Sequence, residues 1–147
     1  MTQLVLDASV ALSWCFADEE NPCGRMVLGM LREADAVVPA IWPLEIANAL
    51  VVAERRHRLK LTETSRFLSL IEGLDIVVDP GTSARAFGET LSLARRHGLS
   101  AYDAAYLELA LREDLPLATL DRDLGNAARK LGVKLIDASP GKGSRSV

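Results

Sequence analysis

The stretch Leu4-Val5-Leu6-Asp7-Ala8-Ser9 decides how this chain is read. A short apolar run climbs out of the N-terminus and stops on an acid. A buried parallel strand ends this way when it delivers a carboxylate to the C-terminal edge of its sheet, where open α/β folds bind ligands.

Working outward, residues 3–6 are the first strand. Ala36-Val37-Val38 is a second strand closed by Pro39, and Asp75-Ile76-Val77-Val78 a third closed by Asp79-Pro80-Gly81. Leu117–Leu120 forms a fourth that stops on Asp121, and Val133–Ile136 a last. Helical patterns fill the gaps. One runs from Ser9, a natural N-cap, to Phe16. Another covers about residues 22–34, with Asn21 as cap, Pro22 at the first position and Met26, Val27, Met30 and Leu31 on one side. Further helices are expected from Pro43 to about Arg58, Thr62 to about Gly73, about Thr82 to His97 with Gly98 as the stop, Ser100 to Arg112, and Asp121 to Leu131. This alternation requires crossover connections. It predicts an α/β fold, a three-layer α/β/α sandwich with a mostly parallel central sheet in which Leu4–Leu6 is the central strand. Residues 1–138 read as one domain and the Gly/Ser/Lys/Arg-rich residues 139–147 as a frayed tail.

Composition narrows the class. With 147 residues, 49% of them hydrophobic, the chain can bury a core without staples. Cys15 and Cys23 are too few for a disulfide framework or a four-cysteine zinc site, so a reducing compartment is expected, with both thiols as small hydrophobes. No basic, apolar leader and no run long enough for a membrane span stands out, which leads us to expect a soluble, cytoplasmic protein. A net charge of −3 argues against a broad basic face for nucleic acid but permits carboxylates gathered around a cation. A polyanionic substrate would then have to be bridged by metal and a few local basic residues.

Four acids fall at carboxyl ends of strands or first turns of the following helices. Asp7 ends the first strand. Glu45 lies in the first turn after the second, Asp103 in the first turn after Ser100, and Asp121 opens the last helix, with Asp123 two residues on. Each alone reads best as a helix cap or a dipole partner. Together they lie on elements that should share one edge of one sheet. Converged carboxylates repel unless a cation sits between them, and oxygen-only ligands suit Mg²⁺ or Mn²⁺ rather than zinc.

Four motifs in this order and spacing resemble the signature of the PIN-domain nucleases. They are Asp7-Ala8-Ser9, Glu45 followed by Asn48, Ser100-Ala101-Tyr102-Asp103-Ala104-Ala105-Tyr106, and Thr119-Leu120-Asp121-Arg122-Asp123-Leu124. The small single-domain size resembles the VapC toxins of bacterial and archaeal toxin–antitoxin (VapBC) pairs, and the resemblance runs over the chain up to the tail. It implies an RNA endonuclease using Mg²⁺ or Mn²⁺ held by Asp7, Glu45, Asp103 and Asp121. Ser9 and Thr119 match the hydroxyl residues that support such a site, and Asn48 the polar neighbour of the glutamate. It also implies a homodimer and a small antitoxin of VapB type that lies across helix surfaces and blocks the acids. On these parts, Asp7, Asp103 and Asp121 are expected as metal ligands, with Glu45 orienting water or reaching the metal through it. Asp123 stays unassigned.

The densest basic run, Arg55-Arg56-His57-Arg58 with Lys60, lies at least ten residues beyond Glu45 on the same helix, about 15–20 Å away. It reads as a cation-rich C-terminal turn. Arg122 is the better phosphate-binding candidate. His57 and His97 read as solvated helix-end residues, and Trp14, Phe16, Trp42 and Leu44 as core. Two other readings stand beside the nuclease. One is an inert PIN-like binding scaffold whose acids are caps. The other is phosphoryl transfer through an aspartyl-phosphate at Asp7, weakened because Ser9 stands where a dehalogenase pattern wants a second Asp.

Overall fold

The computed structural model describes residues 2–137. The tail read at residues 139–147 lies outside the described residues. Four strands, β1 (Gln3–Leu6), β2 (Asp35–Val38), β3 (Ile76–Val78) and β4 (Leu117–Ala118), form one sheet in the order β3-β2-β1-β4. Every pairing is parallel. β1 is an interior strand, and Leu4, Val5 and Leu6 are fully buried. A strand whose successive side chains point to opposite faces can be buried throughout only if both faces are covered, which is what an uninterrupted apolar run demands.

The helices are α1 (Ala8–Leu12), α2 (Pro22–Met30), α3 (Trp42–Arg55), α4 (Leu61–Glu72), α5 (Thr82–Arg85), α6 (Leu91–His97), α7 (Ala101–Glu113) and α8 (Arg122–Lys130). Local chemistry explains their starts. Asn21 Oδ1 accepts the amides of Cys23 and Gly24, and Pro22 takes the first position of α2. The Ser100 hydroxyl accepts the Asp103 amide at 3.0 Å and starts α7. Gly98, at φ +64°, stops α6 in the left-handed conformation that costs glycine least.

The structure differs from the sequence reading in several places. Ser9 is not an N-cap; Asp7 holds that position and Ser9 sits inside a shorter α1 that ends at Leu12. α2 stops at Met30 rather than residue 34, and α3 at Arg55 rather than Arg58. The expected helix from Thr82 to His97 is broken by a wide-turn segment, Ala86–Thr90, where Gly88 is non-helical at φ −104° and ψ −105°. The last strand shrinks to one parallel bridge, Leu117 to Leu135. Leu44 is 67% exposed, whereas Phe16 and Trp42 are buried and Trp14 is half-buried with its indole N–H donated to the Gly24 carbonyl.

Register sets the working edge. Val5 pairs with Val37 and Leu117, and Val37 with Val77, so the strands end nearly level. Asp7 therefore leaves β1 beside Thr119, with its amide still donated to Ala118. Asp79 leaves β3 at the same edge, two strands away.

A candidate active site at the carboxyl edge of the sheet

Asp7 is 5% exposed. A carboxylate this deep needs partners. The hydroxyls of Ser9 and Thr119 both donate to its Oδ2, at 2.6 and 2.7 Å. The same two oxygens accept backbone amides from the β4–α8 loop: Leu120 N–H donates to Ser9 and Asp121 N–H to Thr119, each at 3.0 Å. Two hydroxyls thus bolt the end of β1 to the loop that carries Asp121. Burial pushes the Asp7 carboxyl above its ordinary value; the two hydroxyls oppose this and the charge of Asp121 adds to it.

Asp121 is the N-cap of α8, and its Oδ1 accepts the amides of Asp123 and Leu124 at 2.9 and 3.2 Å. Asp103 lies in the first turn of α7. Burial, followed by the charges of Asp121, Asp7 and Asp123, raises its carboxyl to about 6, against a hydrogen bond with Ser100 that lowers it. Glu45 lies in the first turn of α3. Burial raises its carboxyl too, the Tyr106 hydroxyl counteracts, and Asp7 and Asp103 push it further up. Tyr106 donates its hydroxyl to Glu45 Oε1.

Asp7 and Asp103 thus lie within electrostatic reach of each other and of both Glu45 and Asp121. Three of the four have one oxygen tied to the scaffold: Oδ2 of Asp7, Oε1 of Glu45 and Oδ1 of Asp121. Mutually raised carboxyls mark a place of concentrated negative potential, where a cation lowers the energy of the folded protein. The donor set is oxygen-only and fits a hard divalent cation. As the side chains stand, no three His, Cys, Asp or Glu residues among the described residues are drawn together as a ready-made metal cage.

Other expected residues lie around this core or away from it. Asn48 is exposed on the next turn of α3, and its side chain makes no hydrogen bond among the described residues. Arg122 and Asp123 are exposed on the first turn of α8, and Asp123 is near enough for its charge to act on Asp103. The basic run is remote. Arg58 bonds to Asp18 and Glu19 and stacks 4.6 Å above the Phe16 ring, closing the far end of α3. The neighbour of Glu45 is instead Tyr106. The motif around Asp103 contains it, and its spacing of three residues from Asp103 puts both on one side of α7.

Asp79 shares the sheet edge but is turned to structure. Arg112 donates to both of its oxygens, at 2.6 and 3.2 Å, and to both oxygens of Glu108, at 2.8 and 3.0 Å. Asp79 and Glu108 are both buried. The Arg112 guanidinium holds the Asp79 carboxyl below its usual value, burial notwithstanding.

The same fold occurs in known proteins. The PIN domain family model matches residues 4–130. The chain is 30% identical over 122 residues to Ribonuclease VapC3 of Pyrobaculum aerophilum, covering 83% of this chain and 92% of that one. It superposes on the crystal structure of PAE2754 from the same organism with a TM-score of 0.66 at 24% identity, over 92% of this chain and 91% of the other. VapBC2 from Rickettsia felis, solved bound to a DNA fragment from its promoter, superposes with a TM-score of 0.64 at 13% identity, over 91% and 97% of the two chains.

Proposed function

The chain belongs to the PIN-domain family, and from that premise we propose that it is a VapC-type toxin: an endoribonuclease that hydrolyses RNA phosphodiester bonds with Mg²⁺ or Mn²⁺ at the four carboxylates and is inhibited by an antitoxin of VapB type. The observation that carries the reading is the gathering of Asp7, Glu45, Asp103 and Asp121 at one sheet edge, where burial and mutual repulsion raise three of their carboxyls. Similarity to Ribonuclease VapC3 supports the reaction class.

In this reading Asp7, Asp103 and Asp121 would hold the cation, and Glu45 would act on it through water. When bound, the cation supplies Lewis acidity toward the phosphodiester and the attacking water. The chain's own residues do the positioning. Ser9 and Thr119 keep Asp7 from rotating, and the helix cap does the same for Asp121. Glu45 accepts a hydrogen bond from the attacking water and aims it at phosphorus. Arg122, exposed beside Asp121, meets a phosphate of the RNA.

Exposed apolar side chains support partners. Leu44 and Val51 on α3 and Leu61 and Leu68 on α4 are all open to solvent. Such surface suits a second copy of the chain and an amphipathic antitoxin segment. The similarity to a VapBC complex points the same way. Among the described residues no helix is long and apolar enough to cross a membrane, and the proposed place of action is the cytoplasm. The test is cleavage of end-labelled RNA by the purified protein with added Mn²⁺, with chelator, and with equimolar antitoxin. Cleavage only in the first arm supports the proposal; a protein that binds the antitoxin but cuts under no condition returns it to an inert scaffold.

A further inference from the structure

Tyr106 is fully buried, the largest such side chain among the described residues. Its neighbours on α7, Ala104, Leu107 and Leu109, are equally buried and apolar. A phenylalanine would fill the same space. The hydroxyl adds nothing to packing, and a buried hydroxyl without a partner is costly. Here it has one: it donates to Glu45 Oε1 on α3.

We propose that Tyr106 is a positioning residue: its hydroxyl ties one carboxylate oxygen of Glu45 to α7 and leaves the other oxygen for the acid cluster. Physical need and geometry agree. Glu45 has the longest side chain of the four acids, so it loses the most rotamer freedom when held in one place. Asp7 and Asp121 are short and pinned by hydroxyls and amides at close range in sequence or on the adjoining strand. Glu45 has no such local partner; Ile41, the N-cap of its helix, makes no side-chain cap hydrogen bond. Tyr106 supplies the anchor from another element. Because Tyr106 follows Asp103 by one turn, α7 presents one acid of the cluster and the clamp for a second from the same face.

The activity arm of the test rests on the nuclease reading; the structural arm does not. Tyr106→Phe deletes one oxygen and keeps the ring, so the variant should melt within a few degrees of wild type. A crystal structure of Tyr106→Phe should show Glu45 displaced or in several conformers. Its kcat for RNA cleavage should fall about 10–100-fold, the range for loss of a residue that orients a metal-site ligand. KM should stay within about twofold. In a Glu45→Gln background the same substitution should change kcat no further. Glu45 unmoved in the variant structure, wild-type kcat in Tyr106→Phe, or an equal loss of kcat in both backgrounds overturns the proposal. If wild-type protein cuts no RNA, the nuclease reading fails and the position of Glu45 in the variant decides the question by itself.

Discussion

Thr119 donates its hydroxyl to Asp7 Oδ2 at 2.7 Å and accepts the amide of Asp121 at 3.0 Å. One side chain therefore serves two acids that approach from opposite ends of the chain, and Ser9 repeats the arrangement through Leu120. Each hydroxyl is both donor and acceptor, a combination that no apolar isostere can replace.

Thr119→Val keeps the shape and removes both bonds. Since one acceptor is a charged carboxylate and the Asp121 amide is left unpaired, the loss should be about 1–3 kcal/mol, read by urea unfolding. Cleavage by the folded variant should drop as well, because Asp7 is then free to turn. Ser9→Ala should behave similarly, and the two losses should not be additive, since both hydroxyls share Oδ2.

The Arg112 clamp predicts a larger stability effect remote from the chemistry. Arg112→Met leaves buried Asp79 without its cation and leaves Glu108 only the partly exposed Arg85, 3.4 Å away. Breaking a buried pair in this way costs about 3–5 kcal/mol. Thermal or urea unfolding should show a loss of this size, and Arg112→Lys, which cannot bond both carboxylates through two oxygens each, should recover only part of it. A loss below about 1 kcal/mol for Arg112→Met would show that the clamp is not holding the α7 end to the sheet edge.

The same clamp has a pH signature. The folded-state carboxyl of Asp79 lies below its ordinary value of 3.8, chiefly because of the Arg112 hydrogen bonds. The folded protein thus binds that proton more weakly than the unfolded chain. The stabilisation is fully present above about pH 4–5 and is lost as pH falls through 4 and below. Asp79→Asn should be less stable than wild type at neutral pH, and the gap between the two should close in acid. A constant gap from pH 7 to pH 2 would assign the stability of this corner to packing.

Gly98 tests a local conformation. It sits at φ +64°, and a methyl group there would meet nothing within 4 Å. Gly98→Ala should therefore cost about 1–2 kcal/mol from backbone strain alone. Gly98→Asn should cost less, because asparagine tolerates the left-handed region.

What the sequence revealed and what it hid follow one physical division. Caps, stops and apolar runs act between residues a few positions apart, so β1, the Asn21-Pro22 start, the Ser100 cap and the Gly98 stop were legible. So were the places of the four acids in the fold, because each ends a strand or opens a helix. The partners of those acids act across the fold. Tyr106 meets Glu45 and Arg112 meets Asp79 only once α7 lies against the sheet. The Glu108–Arg112 spacing of four marks a helical ion pair, but nothing local marks its third member. Ser9 misled for a related reason: serine at a helix start favours a cap, yet its hydroxyl is drawn to Asp7 instead. The kink at Gly88 carried a signal in the glycine itself, while the loss of the last strand carried none, since Val133–Ile136 has the composition of a strand and only the short β4 beside it limits the pairing.

The central claim is that Asp7, Glu45, Asp103 and Asp121 act together as a cation-dependent RNA-cutting centre, and Asp103→Asn tests it most directly. Removing one of several repelling charges should leave the fold intact and, in chelator at neutral pH, raise its stability by on the order of 1 kcal/mol after solvent screening. With Mn²⁺ and RNA, wild-type protein should produce discrete cleavage products, and Asp103→Asn should produce none above the chelated control. Asp103→Asn protein that is folded and cuts RNA as fast as wild type would contradict the account.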